Sequence, residues 1–225
     1  MLTPERKTEL NWHFFVAAGL LWGLAEAGIG LGLRGACGAG LTGAIMTGAG
    51  VLALSSAYHF DRRLWSVGVL LGAVVLLKLL DPLLLGIPLR SGPIVNPGFA
   101  FIVECAAFLL LVSLVNPRLG KHLPANMATG GLIGLVSAAA FPLAGHVTGV
   151  PVCAMAGTGV PQAWFYGPAT VGVCLAAYPL GRLIGEQAMA WLGSERLASR
   201  PARALLDAVA AAALLAVIGV NLFLR

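Results

Sequence analysis

Long apolar runs, interrupted at intervals by charge, proline or glycine, set the pattern of this chain. The runs fall at about 11–33, 38–58, 64–87, 97–115, 126–149, 166–184 and 204–224. Each is close to the roughly 20 residues that a helix needs to cross a hydrocarbon core of about 30 Å. The pattern predicts an all-α polytopic transmembrane bundle of about seven spans, with residues 1–225 forming a single integral membrane domain. The last run, alanine-rich from Asp207 to Leu224, has an alternative. If it lay along the membrane surface, six spans would remain. Its length and lack of internal charge favour crossing. The charged N-terminal lead resembles that of a signal sequence, but the run after it is long and contains Glu26, so it reads as a retained first span.

Local signals refine this picture. Short connections make sequential spans antiparallel neighbours. Small residues recur at three- and four-residue spacing: Gly19, Gly23, Ala27 and Gly30 in the first run; Gly40, Gly43, Thr47 and Gly50 in the second; Gly130, Gly134 and Ala138 in the fifth. Such stripes let helix backbones approach closely. Pro142 and Pro179 predict kinks in the fifth and sixth runs, and Pro82 predicts an end or bend in the third.

Composition closes off the soluble class. The chain is 59% hydrophobic and 10% charged, against about 25% charged in soluble proteins, and its mean hydropathy is +0.91. The net charge of +5 records topology rather than nucleic-acid binding. Arg6, Lys7, Arg62, Arg63, Arg118, Lys121, Arg182, Arg196, Arg200 and Arg203 fall on one set of connections. Only Arg34, Arg90 and Arg225 fall on the other. That bias predicts a cytoplasmic N-terminus, in a bacterial plasma (inner) membrane. The basic connections predict anchoring and contact with anionic lipid. They also offer a docking face for a cytoplasmic or membrane partner subunit.

Direction gives depth to the few ionisable residues inside spans. At about 1.5 Å per residue, Glu26 lies roughly 22 Å from the cytoplasmic side, Lys78 roughly 21 Å and Asp81 roughly 25 Å. Glu104, on a span running inward, lies roughly 10 Å below the outer face. His146 falls in the same layer. Lys78 and Asp81, three residues apart, face one another on one helix. Glu26 and Glu104 have no local partner and call for a cation, a proton or a ligand. Intramembrane ionisable residues usually face the protein interior or a wet cavity. Glu26, Lys78, Asp81, Glu104 and His146 are therefore the expected substrate-binding or ion-coupling residues. The alternative is that the glutamates only hold neighbouring helices together.

The uncharged loop Val150–Phe165 is expected to fold back over the outer end of the bundle, since such backbone at membrane depth must be covered. The cysteines Cys37, Cys105, Cys153 and Cys174 lack zinc-finger spacing. A Cys37–Cys153 disulfide would suit an oxidising side. Cys153, Met155 and His146 form a minor candidate set for a soft metal. The histidines lack the matched intramembrane pairs of a haem protein, and no cofactor is expected. Walker A, HExxH and GxSxG motifs are missing, so an enzyme is not the leading reading.

These observations point to a transport protein for a small solute or ion, with an outward-facing polar pocket. In overall architecture the chain is similar to the substrate-binding membrane subunits of energy-coupling-factor transporters, small glycine-rich bundles that bind vitamins or metals and dock onto ATPase partners. The likeness rests on size and composition, with one span beyond their usual six. It implies a role as the substrate-binding subunit of a multicomponent transporter. The competing class is a non-transporting integral subunit or assembly factor. A membrane-embedded enzyme comes third.

Overall fold

The computed structural model describes residues 4–31, 41–119, 122–154, 157–192 and 200–223. They form helices α1 (Pro4–Ala25), α2 (Leu41–Asp61), α3 (Trp65–Leu85), α4 (Gly92–Leu119), α5 (Leu123–Ala140), α6 (Leu143–Thr148), α7 (Gln162–Phe165), α8 (Gly167–Leu192) and α9 (Arg200–Phe223). A π-helical turn, Glu26–Leu31, follows α1. Among the described residues the only β feature is an isolated bridge between Ala154 and Pro161.

Five helices have the length and apolarity to cross a bilayer: α2, α3, α4 over Gly92–Val115, α5, and α9 over Arg203–Phe223. They match five of the seven apolar runs. The chain is therefore a multi-pass helical membrane protein. Large apolar side chains such as Leu76, Leu83, Ile102, Leu110 and Leu215 point away from the bundle, as lipid-facing residues do.

Two helix groups share α4 as a bridge. In the first, α8 packs along α2 on one side and α5 on the other. Glycines permit this approach: a Cβ at Gly181 or Gly185 would run into the Leu52 or Ser56 carbonyl of α2, and one at Gly130 into the Cys174 carbonyl of α8. Gly134 also packs against Cys174 of α8, so the stripe on the fifth run is an interface. In the second run's stripe Gly43 faces open space while Gly50 is closely packed, and Gly48, outside the stripe, makes a further close contact. In the second group, α1 packs on α3 and α9. Gly19 lies against Leu70 and Ala73, and Gly23 lies against Leu77. The Ser56, Thr129 and Thr170 hydroxyls each donate to a carbonyl one turn back, of Leu52, Ala125 and Tyr166, whereas Ser55 of α2 donates across to the Tyr178 carbonyl of α8 at 2.8 Å.

The prolines act unequally. The fifth run breaks at Phe141 and Pro142 and resumes as α6. By contrast α8 continues through Pro179 and α3 through Pro82. α3 ends only at Leu85, where Gly86 takes the left-handed conformation (φ +65°) that glycine accepts without strain.

The loop after α6 is tied to the bundle at two points. The Asn96 amide donates to the Pro151 carbonyl at 3.3 Å, and the Trp164 indole donates to the Ala139 carbonyl at 3.3 Å. Cys153 is disulfide-bonded, and its expected partner, Cys37, lies outside the described residues.

Candidate functional site

The site forms in the second helix group, where α1 gives way to the π-helical turn. Glu26 is the first residue of that turn. π-helical turns carry one extra residue per turn and are frequent at functional sites. The close approach of α1 and α3 over Gly19 and Gly23 brings Glu26 opposite Lys78. The ammonium Nζ of Lys78 is 3.4 Å from Glu26 Oε1 and 2.9 Å from Asp81 Oδ2. All three side chains are at most 8% exposed. Across from them, α9 supplies Asn221, fully buried, whose amide donates to Asp81 Oδ1 at 3.1 Å and to the Val217 carbonyl at 2.9 Å.

Glu26, Lys78 and Asp81 line a small cavity. Its wall comprises Gly23, Glu26 and Ala27, then Val74, Leu77, Lys78 and Asp81, with Phe101 from α4 and Val217 from α9. The space open to a water's centre is about 10 Å³, enough for roughly one water molecule. The chemistry available is that of one cation shared by two carboxylates around a single solvent-sized void. Removing the ammonium leaves two buried carboxylates with no counter-charge.

Glu104 lies one helical turn beyond Phe101, outside that wall. Its carboxyl is hydrogen-bonded to Thr47 of α2, and Glu26 acts on it electrostatically. Its Oε2 is buried without a hydrogen-bond partner. It abuts the position a Gly50 side chain would fill, beside the Trp22 ring. The structure thus brings together Glu26, Lys78 and Asp81, with Glu104 adjacent. His146 stands apart and exposed on α6. Of the soft-metal set, Cys153 is occupied in a disulfide and Met155 lies outside the described residues. Among the described residues no group of three or more His, Cys, Asp or Glu side chains is placed to hold a metal.

Asn221 is a site residue that the sequence reading did not include. A single amide in an alanine-rich apolar run was its only signal. A second polar assembly lies at the opposite, basic end of the bundle, which the sequence marks for anchoring, lipid contact or docking. There Arg182 reaches Asn126 Oδ1 and Glu186 Oε1, each at 3.1 Å, and Arg62 reaches the same Glu186 oxygen at 2.7 Å. His59 Nε2 and the Tyr178 hydroxyl are 3.3 Å apart. Arg182 is buried and locks α8 to α5, a structural role beyond membrane anchoring. No protein-family model, curated protein or solved structure matches the chain.

Proposed function

We propose that this protein moves a small solute or ion across the membrane, with the Glu26–Lys78–Asp81 cluster and neighbouring Glu104 as its coupling site. The observation that carries the reading is the charge balance. Three carboxylates lie buried within one part of the bundle, and a single ammonium, Lys78, pairs with two of them. Charges at this depth are expensive, and a packed bundle needs none of them. A carrier of protons or cations does.

The cavity, with room for one water, corresponds to a closed state. The π-helical turn at Glu26 and the single-sided packing of α9 are the elements able to open it. In this reading α1 and α8 also cross the bilayer. α1 with its π-helical turn and α8 are long enough, and polar residues such as Tyr178 and Arg182 lower the apolarity of α8. With seven spans the two termini lie on opposite sides, and the Lys and Arg bias puts the N-terminus on the cytoplasmic one. The arginine-rich end faces inward, and the disulfide at Cys153 sits on the oxidising side. A bacterial inner membrane accommodates this arrangement, as does docking of a partner subunit on the basic end.

Thermal unfolding in detergent tests the reading. Purified protein is scanned against inorganic monovalent and divalent cations and a panel of small organic cations and vitamins. A bound solute raises the transition temperature by mass action. The reading expects at least one solute to do so, with the shift lost in Glu26→Gln. It is overturned if no solute shifts the wild type, or if the shifts survive in both Glu26→Gln and Glu104→Gln.

A further inference from the structure

Charge and space together separate the buried carboxylates into two kinds. Glu26 and Asp81 share Lys78, and Asp81 has the Asn221 amide as well. Glu104 has neither. From α2 it receives Thr47, from the π-helical turn it faces Glu26, and the titratable neighbours beside it are Cys105 on its own helix and Cys174 on α8. Among the described residues no lysine, arginine or histidine pairs with it. An ionised carboxylate so placed would sit beside a second carboxylate in an apolar surround, at a cost no neighbour offsets.

A metal cation would remove that cost only if it had several oxygen ligands and room for them. Neither is present. Oε2 is closed off by Gly50 and the Trp22 ring: a Cβ at Gly50 would collide with Oε2 and lie 2.8 Å from the ring. The Trp22 indole nitrogen is itself buried without an acceptor and the Thr47 hydroxyl already engages the carboxyl, so the Trp22 ring, not a shell of oxygens, stands beside Oε2. A proton needs no room and no further ligand.

We infer that Glu104 is the proton-binding site of the bundle, held as the neutral acid against Thr47, while Glu26 and Asp81 share Lys78. As an account of coupling this rests on the transport reading above, since a site that exchanges one proton suits proton-linked movement. The protonation itself does not depend on it.

Infrared difference spectroscopy of the full chain in lipid tests the assignment at neutral pH. A protonated carboxyl shows a C=O stretch above the amide I band that shifts down in D2O. The wild type is expected to show one such band, absent in Glu104→Gln and retained in Glu26→Gln. Thr47→Val, which removes the hydrogen bond but not the acid, should move the band without abolishing it. The inference is overturned if the wild type lacks the band, or if the band survives Glu104→Gln and disappears in Glu26→Gln. Should Glu104→Gln not fold, an unmoved band in Thr47→Val would overturn it equally. A band that behaves as expected in a protein that transports nothing would sink the transport reading and leave the proton site standing.

Discussion

Asn221, on the last helix, donates its side-chain amide to Asp81 on the third at 3.1 Å, with both residues buried. The same helix is held near its other end, where His13 Nδ1 lies 2.6 Å from Asp207 Oδ1. The two clasps are 14 residues apart, about 21 Å along a helix. α9 therefore runs lengthwise beside α1 and α3, and does not lie flat across one end of the bundle. The surface-helix alternative loses its appeal on this geometry.

The clasps should contribute unequally. Asn221→Leu fills the space but leaves Asp81 Oδ1 without its donor in a buried site, so a loss of about 1–3 kcal/mol is expected. His13→Ala breaks a partly exposed pair and should cost less than about 1 kcal/mol. Unfolding titrations in mixed detergent would rank them, and equal costs would contradict the assignment.

Lys78→Met tests whether the cluster acts as one unit. Removing the shared cation strands two buried carboxylates, and a loss of about 3–5 kcal/mol is expected. Adding Asp81→Asn should restore part of that loss, giving a coupling energy well outside additivity in a double-mutant cycle.

Helix contacts make a sharper distinction among glycines than their spacing does. Gly181→Ala puts a methyl into the Leu52 carbonyl of α2, and a loss of about 1–3 kcal/mol or more is expected from overpacking. Gly43→Ala meets nothing within 4 Å and should leave stability unchanged or slightly raised. The unfolding midpoint of each variant decides this.

Topology can be read at Cys153. A membrane-impermeant maleimide added to intact cells should label it only after reduction of its disulfide. Labelling that requires permeabilised cells would place this loop on the inner side and invert the orientation.

The five helices apolar enough to cross a bilayer were legible because hydropathy is a local property: a run of about 20 apolar residues declares itself without knowledge of its neighbours. The grouping of Glu26, Lys78 and Asp81 was legible because depth follows from chain direction and rise per residue, and Lys78 to Asp81 is one helical turn. Depth says nothing about which way a side chain points around the helix. His146 shares the layer but faces outward on α6, and Glu104 sits behind Phe101 instead of in the cavity wall. Asn221 was missed because its meaning depends on which helix lies opposite, and that is settled by packing 140 residues away in sequence. Arg182 was read as an anchor for the same reason. Its partner Asn126 lies on a helix 56 residues earlier.

The central claim is that this buried charge layer couples proton movement to solute movement. Proteoliposomes carrying an internal pH-sensitive dye and an imposed solute gradient test it directly, using a solute that shifts thermal unfolding. The account predicts internal pH changes that require the solute, proceed in the wild type, and disappear in Glu104→Gln. A wild type that carries the solute with no accompanying pH change, or a Glu104→Gln protein whose pH change equals that of the wild type, would contradict it.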